Sequence, residues 1–305
     1  MSRKGRLAAG AAAAVALSLV SVPLQAETSE PLKRRITLAD GFEARLIMLQ
    51  GKRMTQRGDF PGQPDLITVF PQPDGGVVLY IGHELGHNES GGMASLSKVA
   101  MDAEGNVVSS GTVASGFRYF CSGAVSPWGT VLIGEEHPRS TKPGEGYIWE
   151  FDPRTEEITK RESLGRYSHE SIAFDPSGVC YLTEDAVPGH LFRFIPKPRG
   201  QLKDGVLEAL DVGRRRWVRI QDGFDARREV KELDPSAALP APEGIDPWPG
   251  GGFAVAITGD PEGEGEEDFG RVVKLDPNRG TLTPVVRGGP DTLIQPDNLR
   301  FRPGG

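Results

Sequence analysis

His83-Glu84-Leu85-Gly86-His87 has the spacing of a zinc-protease helix, where two His one turn apart hold the ion and the Glu between them activates water. The surroundings oppose that chemistry. Gly82 and Gly86 weaken a helix, residues 77–81 read as a strand leading into the motif, and Met93 stands where the extended pattern needs a third ligand. A loop at the end of a strand is expected instead, with His83 and Glu84 kept as candidates for lining a site.

A second constellation runs from Cys121-Ser122-Gly123 through Pro127-Trp128-Gly129-Thr130 to Glu135-Glu136. It joins a soft thiolate donor to carboxylates by a turn and one strand. Neighbouring residues on a strand face opposite ways, so only one of Glu135 and Glu136 is expected on the site face. Further acids sit beside turns in Arg166-Tyr167-Ser168-His169-Glu170, Thr183-Glu184-Asp185, Pro242-Glu243-Gly244 and Pro296-Asp297-Asn298. Carboxylates gathered from such turns repel one another unless cations are bound. The acidic stretch 261–269 lacks the spacing of an EF-hand and reads as a solvated hairpin tip, with a calcium site of several carboxylates as the alternative.

The elements that must position these residues are strands. Short β-branched or aromatic runs at 66–70, 76–81, 130–133, 191–195, 252–257 and 271–275 are bounded by Gly, Pro, Asp and Asn. Gly at 40 and Pro at 25 imply many turns and exclude a helical bundle. A strand ending in an apolar residue and Asp, followed by a Pro or Gly turn, recurs at Asp102, Asp152, Asp175 and Asp276. Only residues 203–233, with mixed charges, are expected to hold a short helix. The fold class is therefore all-β, best met by a β-propeller with short connecting loops. Its length suits six blades of about 46 residues each.

Residues 1–26 have the composition of a secretory signal. Arg3, Lys4 and Arg6 precede an apolar run over residues 8–20, and Leu24-Gln25-Ala26 offers a cleavage site. Arg3-Lys4 is not a twin-arginine pair, so the general export route is expected, with a periplasmic or secreted chain and a single domain over residues 27–305. Cleavage removes three basic residues and moves the formal net charge from −7 to −10. That excludes nucleic acid as a natural partner. No membrane contact is expected after cleavage, and a monomer is expected. Export implies an oxidising compartment, but spacing leaves open whether Cys121 and Cys180 pair. Cys180 lies in an apolar strand and Cys121 beside a turn, so Cys121 has its own candidate role.

The order of His-Glu, Cys-x-Gly, Pro-Trp-Gly-Thr, Glu-Glu, Gly-Arg-x-x-His-Glu, Tyr-x-Thr-Glu-Asp, Pro-Glu-Gly and Pro-Asp-Asn resembles the PhoX-type alkaline phosphatases, over about residues 75–303. The resemblance implies a secreted six-bladed propeller with iron and calcium in a central site. It also implies metal roles for Cys121, Glu136, Glu170, Glu243 and Asp297, with His83, Glu84 and His169 as lining residues. The expected activity is hydrolysis of phosphomonoesters, with a small phosphorylated substrate as partner. The catalytic and substrate-binding residues are left unassigned.

The chain departs from the family pattern at Gly82, where Asn is usual, at Ala241, where Arg is usual, and at Phe120, often Asn. Those Asn and Arg side chains resemble phosphate-binding groups, and Ala cannot make the paired hydrogen bonds of a guanidinium. Arg118, Arg139 and Arg166 are candidate substitutes. The alternative reading is a noncatalytic or differently specialised metal-binding propeller.

Overall fold

The computed structural model describes residues 44–86, 93–136, 146–220, 230, 233, 238–260, 269–289 and 291–301. The expected signal segment, His87, Arg139 and nearly all of the acidic stretch 261–269 lie outside these residues. Among the described residues no helix is long and apolar enough to cross a membrane. The chain forms two compact units, one reaching Ser115 and one starting at Gly116.

The first unit carries one antiparallel sheet, ordered β1 (Pro64–Pro71), β2 (Val77–His83), β3 (Ala94–Met101) and β4 (Val107–Phe117). Met54, Phe60, Leu79, Ile81 and Val99 form its core. The described residues of the second unit form three sheets. The first holds β5 (Phe120–Val125), β6 (Val131–Glu135), β7 (Ile148–Asp152) and β8 (Glu157–Arg161). The next holds β9 (His169–Phe174), β10 (Cys180–Glu184), β11 (Leu191–Pro196), β12 (Gly205–Asp211) and β13 (Arg216–Arg219). The last holds β14 (Pro242–Pro247), β15 (Phe253–Ile257), β16 (Arg271–Asp276) and β17 (Thr281–Arg287). All four sheets pair consecutive strands, so each is an up-and-down meander.

The all-β expectation holds, and each strand-like run lies within a strand or at its edge. Of residues 203–233, where a short helix is expected, 205–219 form the hairpin β12–β13, Val230 is helical, and most of the remainder lies outside the described residues. Glu208 of this hairpin meets Arg193 of β11 at 2.6 Å, and Arg193 lies over the Trp217 ring of β13.

Packing explains why so many strands read as continuous apolar runs. In the β9–β13 sheet, Ile172, Leu182 and Phe192 pack with Leu132 and Ile148 of the preceding sheet. From the opposite face, Ala173, Tyr181 and Leu191 pack with Ile245, Phe253 and Val255 of the following one. A sheet covered on both faces needs apolar residues at consecutive positions.

The turns are closed by the recurrent Asp. Asp102 Oδ1 accepts the Asn106 N–H at 2.7 Å, Asp152 Oδ1 that of Arg154 at 2.9 Å, and Asp276 Oδ1 that of Asn278 at 3.0 Å. Asp175 Oδ1 accepts from Ser177 N at 2.8 Å and Val179 N at 3.0 Å. The Pro-Trp-Gly-Thr block is also a turn. Trp128 Nε1 and Thr130 Oγ1 donate to Glu150 Oε1 at 2.8 and 2.6 Å, while Arg161 Nε meets Glu150 Oε2 at 2.6 Å. Gly129 supplies the left-handed φ of 87°.

Asp175→Ala strips the β9–β10 turn of these acceptors and is expected to cost about 1–3 kcal/mol. A melting temperature lower by several degrees in a thermal scan checks it; no change would mean the turn closes without the carboxylate.

Candidate metal centre

The opening strands of the three sheets in the second unit, β5, β9 and β14, run next to one another, β9 between the other two. Each carries the same defect against its hairpin partner, two residues facing one. Cys121-Ser122 faces Gly134, Glu170-Ser171 faces Thr183, and Glu243-Gly244 faces Ala256. A bulge of this kind bends the strand and re-aims the side chains it carries. All three bulges hold a residue expected at the site. The first unit repeats the irregularity opposite Gly82, where Asp65 takes the corresponding place.

The five residues expected to hold metal come together in two groups. The donor atoms of Cys121, Glu136 and Glu170 lie within 4.8 Å of one another, and so do those of Glu170, Glu243 and Asp297. Glu170 is shared. The Cys121 thiol donates to Glu170 Oε2 at 2.9 Å. One triad offers a thiol and two carboxylates, the other carboxylates alone.

Local structure fixes each member. Glu136 follows β6, and its N–H bonds the Tyr119 carbonyl at 2.9 Å. Glu135 turns the other way, as strand alternation requires, and is buried. Its carboxylate accepts the N–H groups of Arg118 (3.2 Å), Gly146 (3.0 Å) and Tyr147 (3.3 Å). Burial pushes its carboxyl up, and hydrogen bonds from these backbone amides pull it back. Glu135 thereby ties together the segments that flank Cys121 and Glu136. Gly134 lets β9 approach, since a Cβ there would lie 2.8 Å from the His169 carbonyl oxygen.

Asp297 lies beyond the last strand, in a segment pinned along β14. Gly244 N bonds the Asp297 carbonyl at 3.3 Å, Thr258 Oγ1 the Pro296 carbonyl at 2.8 Å, and Arg300 meets Asp246 at 2.7 Å. Gly244 permits this approach, because a Cβ would sit 2.7 Å from the Asp297 carbonyl oxygen.

The acids strain against one another. The Glu243 carboxyl is pushed up to about 10, first by burial, then by the charges of Asp185 and Asp297, a hydrogen bond with Asp185, and the charge of Glu136. Asp297 is raised by partial burial and by Asp185. Asp185, named among the acids beside turns but given no metal role, is thus a member of the cluster. Its only signal was its place after the strand 180–184 in the Tyr181-Leu182-Thr183-Glu184-Asp185 run. A cation set among such groups replaces the protons they otherwise retain, and the donor chemistry fits: sulfur with oxygen suits iron, oxygen alone suits calcium.

Both expected lining histidines are core residues. His83 ends β2 fully buried, with Nδ1 bound to the Gly62 carbonyl and Nε2 to Ser97 Oγ, each at 2.9 Å. Burial lowers its pKa to about 4. His169 is buried against the Tyr167 ring, with centroids 3.7 Å apart, and Nε2 meets the Gly165 carbonyl at 3.1 Å. Burial lowers it to about 3. Residues 83–86 form no helix, as the loop reading expected. Glu84, half-buried, anchors its N–H on the Gln63 carbonyl at 2.9 Å. Cys121 and Cys180 are not joined in a disulfide, and Cys180 lies in the core, where burial first raises its thiol pKa.

Ala241 is buried at φ 46°, with its N–H on the Ala186 carbonyl and its own carbonyl on Thr258 N, both at 2.9 Å. No guanidinium stands at that position. Arg118 is buried and Arg166 half-buried.

The alkaline phosphatase PhoX family matches residues 103–295, and the chain belongs to that family. No curated protein matches it. Among solved structures, it resembles Pseudomonas fluorescens PhoX in complex with vanadate, a transition state analogue, at 15% identity and TM-score 0.54. That alignment covers 71% of this chain and 64% of the other, so the chain spans under two thirds of this relative, and the likeness shows the fold. A Bacteroides caccae protein of unknown function matches at 12% identity over 73% of this chain and 67% of its own, with TM-score 0.40. A putative gluconolactonase matches at 13% over 84% and 88%, also at 0.40.

Two predictions follow from the geometry. Glu243 binds a proton in the metal-free folded chain that the unfolded chain releases near 4.5, so its stabilising effect is complete below that pH and is lost as pH rises toward 10. Above about pH 7, where His83 and His169 are neutral in either state, the melting temperature of metal-free protein should fall, and Glu243→Gln should flatten the fall. A wild-type curve that is flat or rising there would contradict the assignment. Gly244→Ala should displace Asp297 and cost about 1–3 kcal/mol, as overpacking does. Unchanged stability in a denaturant titration would show that the segment yields freely.

Proposed function

We propose that this chain is an exported, metal-dependent phosphomonoester hydrolase. Cys121, Glu136 and Glu170 would hold iron, and Glu170, Glu243 and Asp297 would hold calcium. The observation that carries the reading is the pair of triads meeting at Glu170, one with a thiol and one of oxygens alone. Membership of the PhoX family supports the activity, and so does the vanadate bound by the Pseudomonas neighbour. Cations bound there would polarise the phosphoryl oxygens of a small phosphorylated substrate and stabilise the charge of the transition state. The residues of this chain hold that centre in place. Glu135 and the three bulges orient the donors, and Gly244 admits the Asp297 segment.

The same proposal covers the architecture and location. The four meanders are blades of a six-bladed propeller, and residues 27–305 make one domain. Residues 1–26 direct general export to the periplasm or beyond, and the mature chain is a monomer without nucleic-acid or membrane partners. Four meanders of four or five strands support the propeller. The composition of residues 1–26 supports export.

Ala241 favours a second reading. With both its backbone groups engaged and no side-chain cation, it offers no clamp for phosphate. The second reading is a metal-binding propeller without phosphatase activity.

The deciding experiment is elemental analysis of the purified chain with a phosphomonoester assay, for wild type and Cys121→Ala. The proposal expects iron and calcium in the wild type, hydrolysis abolished by calcium chelation, and loss of iron with retained fold in Cys121→Ala. Bound metal without turnover would establish the second reading. A folded chain that takes up neither metal would reject both.

A further inference from the structure

Thr183 lies in β10 with no exposed surface, at the place where one residue faces the two of the β9 bulge, Glu170 and Ser171. Its Oγ1 accepts the Ser171 N–H at 2.8 Å and donates to the Glu243 carbonyl at 2.6 Å. One hydroxyl therefore joins the backbone next to Glu170 to the backbone of Glu243, across two sheets. The residues facing the other bulges are Gly82, Gly134 and Ala256, none with a polar side chain. Among these facing residues, Thr183 alone has a side chain that reaches the backbone of the next sheet's bulge, and it does so between two acids of one triad.

A hydroxyl can accept and donate at once. Valine has the same shape and can do neither, so it would leave a buried N–H and a carbonyl facing a methyl group. We infer that Thr183 is a positioning residue that sets the spacing of Glu170 and Glu243, and through it the affinity of the all-carboxylate triad for a hard divalent cation. The inference rests on the metal reading above. The second triad depends on this bond at two of its three members, Glu170 and Glu243, whereas Cys121 and Glu136 are held through Glu135 and Tyr119.

The test compares wild type, Thr183→Val and Thr183→Ser. Calcium is titrated by calorimetry onto chelator-stripped protein, iron per chain is counted by elemental analysis, and melting is followed in parallel. The expected result is at least about a tenfold loss of calcium affinity in Thr183→Val, of the size found when groups supporting metal ligands are removed. Iron should fall less than calcium, since two of its three ligands, Cys121 and Glu136, lie off this bond, and Thr183→Ser should bind calcium within about twofold of wild type, since its hydroxyl can make both bonds. Where Thr183→Val does not fold, Thr183→Ala carries the same comparison. Calcium affinity unchanged in Thr183→Val, whatever its melting temperature, overturns the inference, as does Thr183→Ser binding as weakly as Thr183→Val. A wild-type chain that binds no calcium overturns the metal reading and the inference with it. Wild-type binding that Thr183→Val reproduces overturns the inference alone.

Discussion

Carboxylates from separate strands and loops meet around Glu170, and bringing like charges together in a partly desolvated place costs free energy that the rest of the chain must supply. The rise of the Glu243 carboxyl to about 10 records that cost, since it holds a proton that an isolated glutamate would lose. Soft loops would relax such a cluster by letting the acids drift apart. Here they cannot drift, because Cys121, Glu170 and Glu243 sit on opening strands of sheets that pack face to face.

The scaffold meets the load with a repeated local device. An unbroken strand alternates its side chains between two faces already spoken for by core packing. One extra residue per opening strand breaks the alternation where a donor is needed and restores it two residues later. Glycine then sets how close neighbouring chain can come, at Gly134 against β9 and at Gly244 against Asp297. Farther from the centre, Asp carboxylates close the turns and Glu150 gathers Trp128, Thr130 and Arg161. The Pro-Trp-Gly-Thr block forms this turn.

The sequence showed the strands because both-face burial demands consecutive apolar residues. It showed the Asp turns because their chemistry is local. It also pointed to the five clustered acid and thiol residues, through the order of their motifs. It hid what depends on register: the bulges, the sharing of Glu170, the place of Asp185 and the reach of the Thr183 hydroxyl. Nothing in the residue types of His83 and His169 separates a ligand from a core histidine; the difference is whether Gly62, Ser97, Gly165 and Tyr167 surround them.

The departure at Ala241 bears on what the centre can do. A phosphomonoester is an anion, and without cations the place it would enter is ringed by Glu136, Glu170, Asp185, Glu243 and Asp297. A guanidinium at position 241 would offset part of that charge by itself. With alanine there, its backbone fully engaged, no such charge comes from that position. Cations bound at the triads must then reverse the sign of the local field before an anionic substrate can approach. In this chain the metals would therefore carry substrate binding as well as chemistry, and anything that loosens Glu170 or Glu243 would weaken both together.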